Sequence, residues 1–289
     1  MREVKRLRRE GKMAIYWVDY TMNKVALYLV NNPLRYVVNF TWNFVAELGK
    51  IAAFTRPAVI AVFTPPYKRT ITRSQMDEIG VGSFPIVALT GLFMGLVSAL
   101  QSIVELRSIG ATSYIGRPLG TTIVREMGPV LASMMVAARA GSAIAAELAS
   151  MSIGEQIDAL RAEGSDPIKK LVEPRLVACT LMTPILTILC DLIAFIGGWV
   201  VATRVVQVSS FFYWDSILEV LTPAFIWGGL IKSLTFGFVI GIIACYSGMA
   251  SGFGSAGVGE ATTRAVVTIS ISILAIDFLL TKIFIVTWW

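Results

Sequence analysis

The chain has 289 residues, of which 55% are hydrophobic and 15% charged, and its mean hydropathy of +0.71 excludes an ordinary soluble domain. The formal net charge of +6 favours an anionic membrane surface as a partner over nucleic acid. The sequence contains no His, the commonest general base and metal ligand, so we expect an all-α integral membrane protein without a His-based site.

Residues 1–80 are predicted to form a basic, interfacial N-terminal region. It opens with a basic head at residues 1–9, and residues 13–63 mix aromatic, aliphatic and charged side chains in amphipathic patterns. Helices of this kind lie at the level of the lipid headgroups. The alternative, a true span over residues 52–63, is too short and contains Arg56 and Pro57.

Residues 81–289 are predicted to form a domain of five transmembrane helices. The first span, Phe84–Val104, contains 21 residues without a charge, which is enough to cross about 30 Å of hydrocarbon. Its small residues Gly91, Gly95 and Ala99 form a ridge along which another helix can approach closely.

The second span is predicted over Gly120–Ala149 and combines small residues with charges. Small residues recur at every fourth position, and among them are Ala137, Gly141 and Ala145. Arg125 and Glu126 open this span, and Arg139 and Glu147 interrupt it. Ionisable groups in hydrocarbon are costly, so these side chains should face protein, water or a polar ligand. The alternative for Arg125 and Glu126 is that they only reach the outer interface.

Three further spans follow. They are predicted to run from Pro174 to about Ala202, over Val220–Met249, and over Ala265–Trp289. Their internal charges are Asp191, Lys232, Asp277 and Lys282. Lys232 and Asp277 have opposite charges, and the sequence leaves open whether they form a buried pair.

The distribution of Lys and Arg predicts the orientation. Residues 1–83 and the loops at 150–176 and 249–264 together hold eighteen, whereas the other two loops hold three. Because positive loops stay in the cytoplasm, we expect a cytoplasmic N-terminus and a C-terminus on the opposite side of the membrane.

The loop between the second and third spans is predicted to contain a short cytoplasmic helix at about residues 152–164. Ser152 and Glu155 have the spacing of a capping box, and Gly164 ends the helix. Ile157 and Leu160 form an apolar edge beside charged residues that include Asp158 and Arg161. Such a helix is either an intracellular turn or a lever that a partner grips.

The sequence lacks the residues that would let it supply its own energy or catalysis. It has no Gly-x-x-x-x-Gly-Lys-Ser/Thr phosphate loop, so ATP-driven work requires another chain. Cys179, Cys190 and Cys245 lie in apolar segments without metal-ligand spacing, and we expect no metal site.

Several motifs resemble one family. They are Leu119–Val130 (LGTTIVREMGPV), Ala138–Glu147 (ARAGSAIAAE), Glu155–Leu160 (EQIDAL), Asp166–Arg175 (DPIKKLVEPR) and Gly259–Val267 (GEATTRAVV). In this order they resemble the MlaE-like (YrbE-like) permease subunits of ABC transporters that work with MCE-domain proteins. The resemblance covers roughly residues 75–286.

This resemblance implies an MlaE-like permease fold, a homodimer in the bacterial inner membrane, two cytoplasmic ATPase subunits and a periplasmic MCE hexamer. It implies phospholipid transport between the inner and outer membranes. ATP and Mg would bind the ATPase, and this chain would bind no cofactor. The helix at 152–164 would be the coupling helix, with Glu155, Ile157, Asp158, Leu160, Arg161 and Gly164 at the ATPase.

The resemblance also points to functional charges at Arg125, Glu126, Lys232, Arg264 and Asp277. Arg125 and Lys232 suit an anionic phosphate because their side chains are donors without acceptors. Acyl chains would lie against Leu92, Leu96 and Leu100 of the first span. The alternatives from other classes are an intramembrane lipid-modifying enzyme, disfavoured by the lack of a nucleophile–base set, and a membrane scaffold.

Overall fold

The computed structural model describes residues 33–65, 69–108, 110–252 and 254–287. Within these ranges the chain is helical apart from short connections and contains no strand. The chain divides into two compact units, Met1–Ala53 and Phe54–Trp289. The basic head and the amphipathic pattern before residue 33 lie outside the described residues. The boundary expected at residues 80 and 81 stays a prediction.

The described part of the N-terminal region consists of the helix Pro33–Phe63 and the first residues of the helix Arg69–Ser108. The interruption expected at Arg56 and Pro57 is wrong, because the helix Pro33–Phe63 continues through Pro57 for 31 residues in total. It is not among the five helices of the described residues that are long and apolar enough to cross a membrane. Its location in the membrane interface stays a prediction.

Five helical spans confirm the predicted all-α membrane architecture. We number them span 1 to span 5 in chain order: Arg69–Ser108, Thr112–Ile153, Ile168–Arg204, Pro223–Met249 and Gly254–Thr287. Most are longer than their apolar runs, because the helices continue into polar residues at their ends. Span 1, for example, has 40 residues and is about 60 Å long.

Span 2 is not one regular α-helix. It is built from a 3-10 turn at Thr112–Tyr114, α-helices at Gly116–Thr122, Gly128–Val136 and Ser142–Ile153, and π-helical turns at Ile123–Met127 and Ala137–Gly141. Span 3 begins with a third π turn, Ile168–Val172, before the α-helix Glu173–Arg204. Each of these three turns carries basic side chains, and π turns are frequent at functional sites.

Small residues set the distances between spans. A Cβ at Gly91 would be 2.6 Å from the carbonyl oxygen of Cys190, and a Cβ at Gly95 would overlap the backbone of Ala194. The glycine ridge of span 1 therefore lies directly against span 3. On span 2 the Ala137 and Ala145 side chains are fully buried.

Gly141 of span 2 lies between spans 4 and 5. A Cβ there would lie 3.1 Å from Ile269 of span 5 and 3.6 Å from Ile240 of span 4. This close approach of spans 4 and 5 to span 2 is the packing expected of small residues in a membrane bundle.

A helix at Ser210–Val220 connects spans 3 and 4, a segment for which the sequence suggested no structure. Its Tyr213 is fully buried, and the hydroxyl donates to the Phe195 carbonyl at 2.8 Å. Burial raises the pKa of the Tyr213 hydroxyl, which keeps it protonated as a donor. Arg117 forms a bidentate ion pair with Glu219 and ties span 2 to this helix.

Candidate functional site

Lys232 lies at the centre of a polar cluster formed by spans 2, 4 and 5. Its side chain is fully buried, and Nζ lies 2.6 Å from Glu126 Oε2 and 2.9 Å from Asp277 Oδ1. Nζ also donates to Thr281 Oγ1 at 2.6 Å, and the Thr281 hydroxyl lies 3.3 Å from both Glu126 carboxylate oxygens. The ammonium is therefore neutralised inside the membrane by two carboxylates, and we call these four residues the Lys232 cluster.

A backbone carbonyl completes the cluster, and the local sequence explains why it is available. Lys232 Nζ donates to the Arg125 carbonyl oxygen at 3.0 Å. In a regular α-helix that oxygen would accept from the N–H four residues later, at position 129. Residue 129 is Pro, which has no N–H, and the chain adopts the π turn Ile123–Met127 at this point.

The Arg125 side chain lies over an aromatic ring beside the cluster. Its Cζ is 4.9 Å from the centroid of Phe225, near the start of span 4. Stacking of this kind orients a guanidinium and leaves its planar edge for hydrogen bonds. A guanidinium has five N–H donors whose geometry suits two oxygens of a phosphate.

The cluster is most accessible at Glu126. The Glu126 side chain is 35% exposed and that of Asp277 is 20% exposed, whereas that of Lys232 is 0% exposed. Arg125, Lys232, Glu126 and Asp277 have formal charges that cancel. Arg125 is half-buried, whereas Lys232 is fully buried. An anion arriving at this end of span 2 would therefore meet the Arg125 guanidinium before the Lys232 ammonium.

The structure does not bring Arg264 to this cluster. Arg264 lies on the same helix as Asp277, about 20 Å away at 1.5 Å per residue. Its Nε is buried and makes no hydrogen bond to the described residues. Arg264 and Asp277 thus belong to different regions of the protein.

The three leucines predicted to contact acyl chains differ in exposure. Leu100 is 47% exposed, whereas Leu92 and Leu96 are half-buried near span 3, where a Cβ at Gly197 would lie 2.7 Å from the Leu92 carbonyl oxygen. On another side of span 1, the Ser98 hydroxyl donates to the Met127 sulfur at 3.7 Å. Span 1 therefore meets span 2 one residue after Glu126 on the side of Ser98, away from the three leucines.

The other charges of span 2 have structural partners. Arg139 donates to the Glu78 carbonyl at 3.0 Å and lies 3.4 Å from the Ser83 hydroxyl, both on span 1. Glu147 forms an ion pair with Arg175 of span 3 at 2.8 Å. These contacts join helices, so they account for both charges without a ligand.

The helix between spans 2 and 3 is shorter than predicted and begins differently. Ser152 is not its cap: it lies in the last turn of Ser142–Ile153, and Glu155 precedes the new helix with a left-handed φ of 55°. The helix covers only Gln156–Ala162, and Gly164 follows at φ 76°. Gly154 separates the two helices, which the capping-box pattern did not reveal.

The apolar edge of this short helix faces the protein itself. Ile157 is 4% exposed and lines a cleft of about 350 Å³ at the ends of spans 2 and 4, while Leu160 is half-buried. Asp158 and Arg161 form an exposed ion pair at 2.8 Å. The surface offered to a partner is therefore the charged one.

Sequence reasoning missed Thr281, Phe225 and the role of Pro129. Two of these had a signal in the sequence. Thr281 follows Asp277 by four residues, which places both on one face of a helix, and Pro129 follows Arg125 by four. Phe225 had no such signal, because its contact with Arg125 joins two separate spans.

Comparison with known proteins finds one family profile and several relatives that resemble this chain over most of its length. The family profile described as Permease MlaE matches residues 72–283. A probable ABC transporter permease protein of Rickettsia conorii is 42% identical over 244 residues, covering 84% of this chain and 94% of the relative. The chloroplastic protein TRIGALACTOSYLDIACYLGLYCEROL 1 of Arabidopsis thaliana is 37% identical over 213 residues, covering 74% and 61%. The intermembrane phospholipid transport system permease protein MlaE of Haemophilus influenzae is 35% identical over 210 residues, covering 72% and 80%.

Proposed function

The chain belongs to the MlaE family of ABC transporter permeases, and on that premise we propose that it moves phospholipids between the inner membrane and a periplasmic MCE-domain protein. The family assignment confirms the resemblance found in the sequence motifs. The proposed cargo is supported by the name of the Haemophilus relative, a phospholipid transport permease. The proposed location is the bacterial inner membrane, with the N-terminus cytoplasmic and the C-terminus periplasmic.

The observation that carries this proposal is the Lys232 cluster with Arg125 beside it. Ionisable side chains are rare and costly inside a membrane and usually mark a substrate path. Here two cations and two carboxylates lie where spans 2, 4 and 5 meet, at the π turn of span 2. We assign the lipid phosphate to Arg125, whose guanidinium is half-buried and stacked on Phe225.

Lys232 has a supporting role in this scheme. Its ammonium donates to the Arg125 carbonyl and to the Glu126 carboxylate, both in the π turn, and so fixes the turn that carries Arg125. When a phosphate binds, Lys232 also contributes its positive charge at short range in a medium of low dielectric constant. Acyl chains would extend along the exposed face of span 1 at Leu100.

Energy comes, in this proposal, from two separate ATPase chains that bind ATP and Mg. The helix Gln156–Ala162 would be the contact, with Ile157 anchoring it to the permease and Glu155, Asp158 and Arg161 facing the ATPase. Two copies of the chain would form the lipid cavity, below a periplasmic hexamer of MCE domains.

The test is purification of the complex in mild detergent, followed by mass spectrometry of co-eluting proteins and bound lipids. We expect an ATPase and phospholipid in the wild-type complex, and a strong loss of bound lipid and of ATP-dependent transport in Arg125→Ala. Arg117→Ala is the matched control, because it removes an exposed arginine from the same span. Equal lipid load and transport in Arg125→Ala and the control would refute the assignment of the phosphate.

The same experiment separates the alternative functions. A lipid-modifying enzyme would yield chemically altered lipid without an ATPase. A scaffold would bind the ATPase but release no lipid when ATP is added. Nucleotide-dependent release of intact phospholipid is expected only of the transporter.

A further inference from the structure

A carboxylate outside the Lys232 cluster lies deep in span 3. Asp191 is roughly 20 Å from the Arg204 end of its helix and is surrounded along the chain by apolar residues. Its Oδ1 has less than 1 Å² of accessible surface and accepts no hydrogen bond from the described residues. A polar atom so enclosed is costly unless it acquires a partner, which makes Asp191 a candidate ligand site.

Asp191 lies directly against the backbone of span 2. A Cβ at position 128 would overlap Oδ1, so the carboxylate fits only because that residue is Gly. Gly128 immediately follows the π turn that carries Arg125. Arg125 and Gly128, the residue against which the carboxylate packs, are thus three residues apart on span 2.

A cavity of about 160 Å³ opens beside Asp191 between spans 2, 3 and 4. Among its lining side chains only Asp191 and Thr187 are polar, and the rest are aliphatic or aromatic. The Thr187 hydroxyl donates to the Thr183 carbonyl at 3.0 Å, so its oxygen is left as an acceptor. The described lining therefore offers hydrogen-bond acceptors and no cationic side chain to whatever enters.

Two residues of the lining are sequence neighbours of Arg125 and of its stacking partner. Val124 lines the cavity and precedes Arg125, and Ile226 lines it and follows Phe225, on which the guanidinium stacks. A ligand that spans from the guanidinium to the cavity would carry a negative group and, a few bonds away, a positive one.

We propose that the cavity binds the primary ammonium of an ethanolamine-type phospholipid headgroup while the phosphate is held at Arg125. This inference rests on the proposed function and names its preferred substrate. A primary ammonium has three N–H donors and makes short, charge-assisted hydrogen bonds to a carboxylate. A quaternary ammonium has none, and a glycerol headgroup has no charge to neutralise Asp191. A two-carbon amine is also small enough for the cavity.

The experiment uses the complete complex in nanodiscs that contain equal amounts of phosphatidylethanolamine, phosphatidylglycerol and phosphatidylcholine, with bound lipid extracted after purification. We expect wild type to enrich phosphatidylethanolamine and Asp191→Asn to lose about tenfold in that preference, the usual effect of one charge-assisted hydrogen bond. Asp215→Asn, an exposed carboxylate of the connecting helix, is the matched control and should keep the wild-type ratio.

The ratio is measured on monodisperse complex, so a lower yield of a variant does not alter it, and Asp191→Leu provides a second, apolar replacement. An unchanged ratio in both Asp191 variants, or equal ethanolamine and choline lipids in wild type, overturns the inference. Displacement of the lipid by millimolar ethanolamine in wild type but not in Asp191→Asn would support it, because the free amine and the headgroup would then compete for the same carboxylate. If wild type binds no phospholipid at all, the proposed function fails instead.

Discussion

Replacing Lys232 by Met tests the electrostatics of the cluster most directly. The variant keeps a long unbranched side chain but leaves the carboxylates of Glu126 and Asp277, now 2.6 and 2.9 Å from the ammonium, without their shared cation. Removing one partner of a buried ion pair costs about 3–5 kcal/mol. Because the Glu126 side chain is 35% exposed and can be solvated, we assign most of the loss to Asp277 and expect about 3 kcal/mol.

Thermal unfolding of the purified protein in detergent, followed by tryptophan fluorescence, measures this loss. About 3 kcal/mol corresponds to a decrease in Tm of roughly 6–12 °C for a protein of this size. Asp277→Asn alone should cost less, because Lys232 keeps Glu126, Thr281 and the Arg125 carbonyl as partners.

The double variant of Lys232 and Asp277 provides the control. Because no carboxylate at position 277 is then left without its cation, we expect it to be less destabilised than the sum of the single variants. A Lys232→Met protein that melts within about 2 °C of wild type, a shift worth less than 1 kcal/mol, would refute the reasoning. Strict additivity of the two changes would refute it as well.

Three further predictions concern the backbone, the packing and the partner. Pro129→Ala restores a backbone N–H that competes with Lys232 for the Arg125 carbonyl. We therefore expect a regular α-helix here, an unchanged or higher Tm, and reduced lipid binding. Undiminished lipid binding would contradict this. Gly95→Ala should lower Tm by several degrees, because the new Cβ would overlap span 3. Gly259→Ala, whose Cβ would enter open space, is the control and should keep the wild-type Tm. Equal Tm values for the two variants would exclude the close packing of spans 1 and 3. Arg161→Glu should leave Tm unchanged, since exposed ion pairs contribute little to stability. It should, however, weaken co-purification of the ATPase. Full retention of the ATPase would show that the contact lies elsewhere.

The cluster shows how several charges persist in the membrane part of this protein. Lys232, Arg139 and Arg175 each lie beside acceptors from another span, so the burial of these charges depends on how the helices pack. Lys232 is the clearest case, because its partners come from spans 2 and 5 while it lies on span 4. Variants that disturb helix packing should therefore also change the charge distribution that the lipid meets.

Much of the fold was predictable from local sequence. Five long apolar runs suffice to identify five spans, because a bilayer requires about 20 apolar residues per helix regardless of the neighbours. The motif around Arg125 and Glu126 also identified the family, which the profile match confirms. The orientation inferred from Lys and Arg stays a prediction.

The details of short polar segments were harder to predict. Ser152 and Glu155 match a capping box, yet the chain turns at Gly154 and Glu155 and starts its helix later. Ile157 is buried against the spans. We infer that the packing of this side chain sets the start of the helix Gln156–Ala162. The helix Ser210–Val220 was missed because it is too short to produce a spanning pattern.

Apolar length, small-residue spacing and charge content by themselves determined that this chain is a five-span helical membrane protein, because these properties act within a single helix. Only the tertiary structure decided which charges meet. It joined Lys232 to Asp277 and Glu126, gave Arg139 and Glu147 structural partners, and left Asp191 beside a cavity. Such pairings depend on the relative depth and rotation of separate helices, which are set by side-chain packing between distant parts of the sequence.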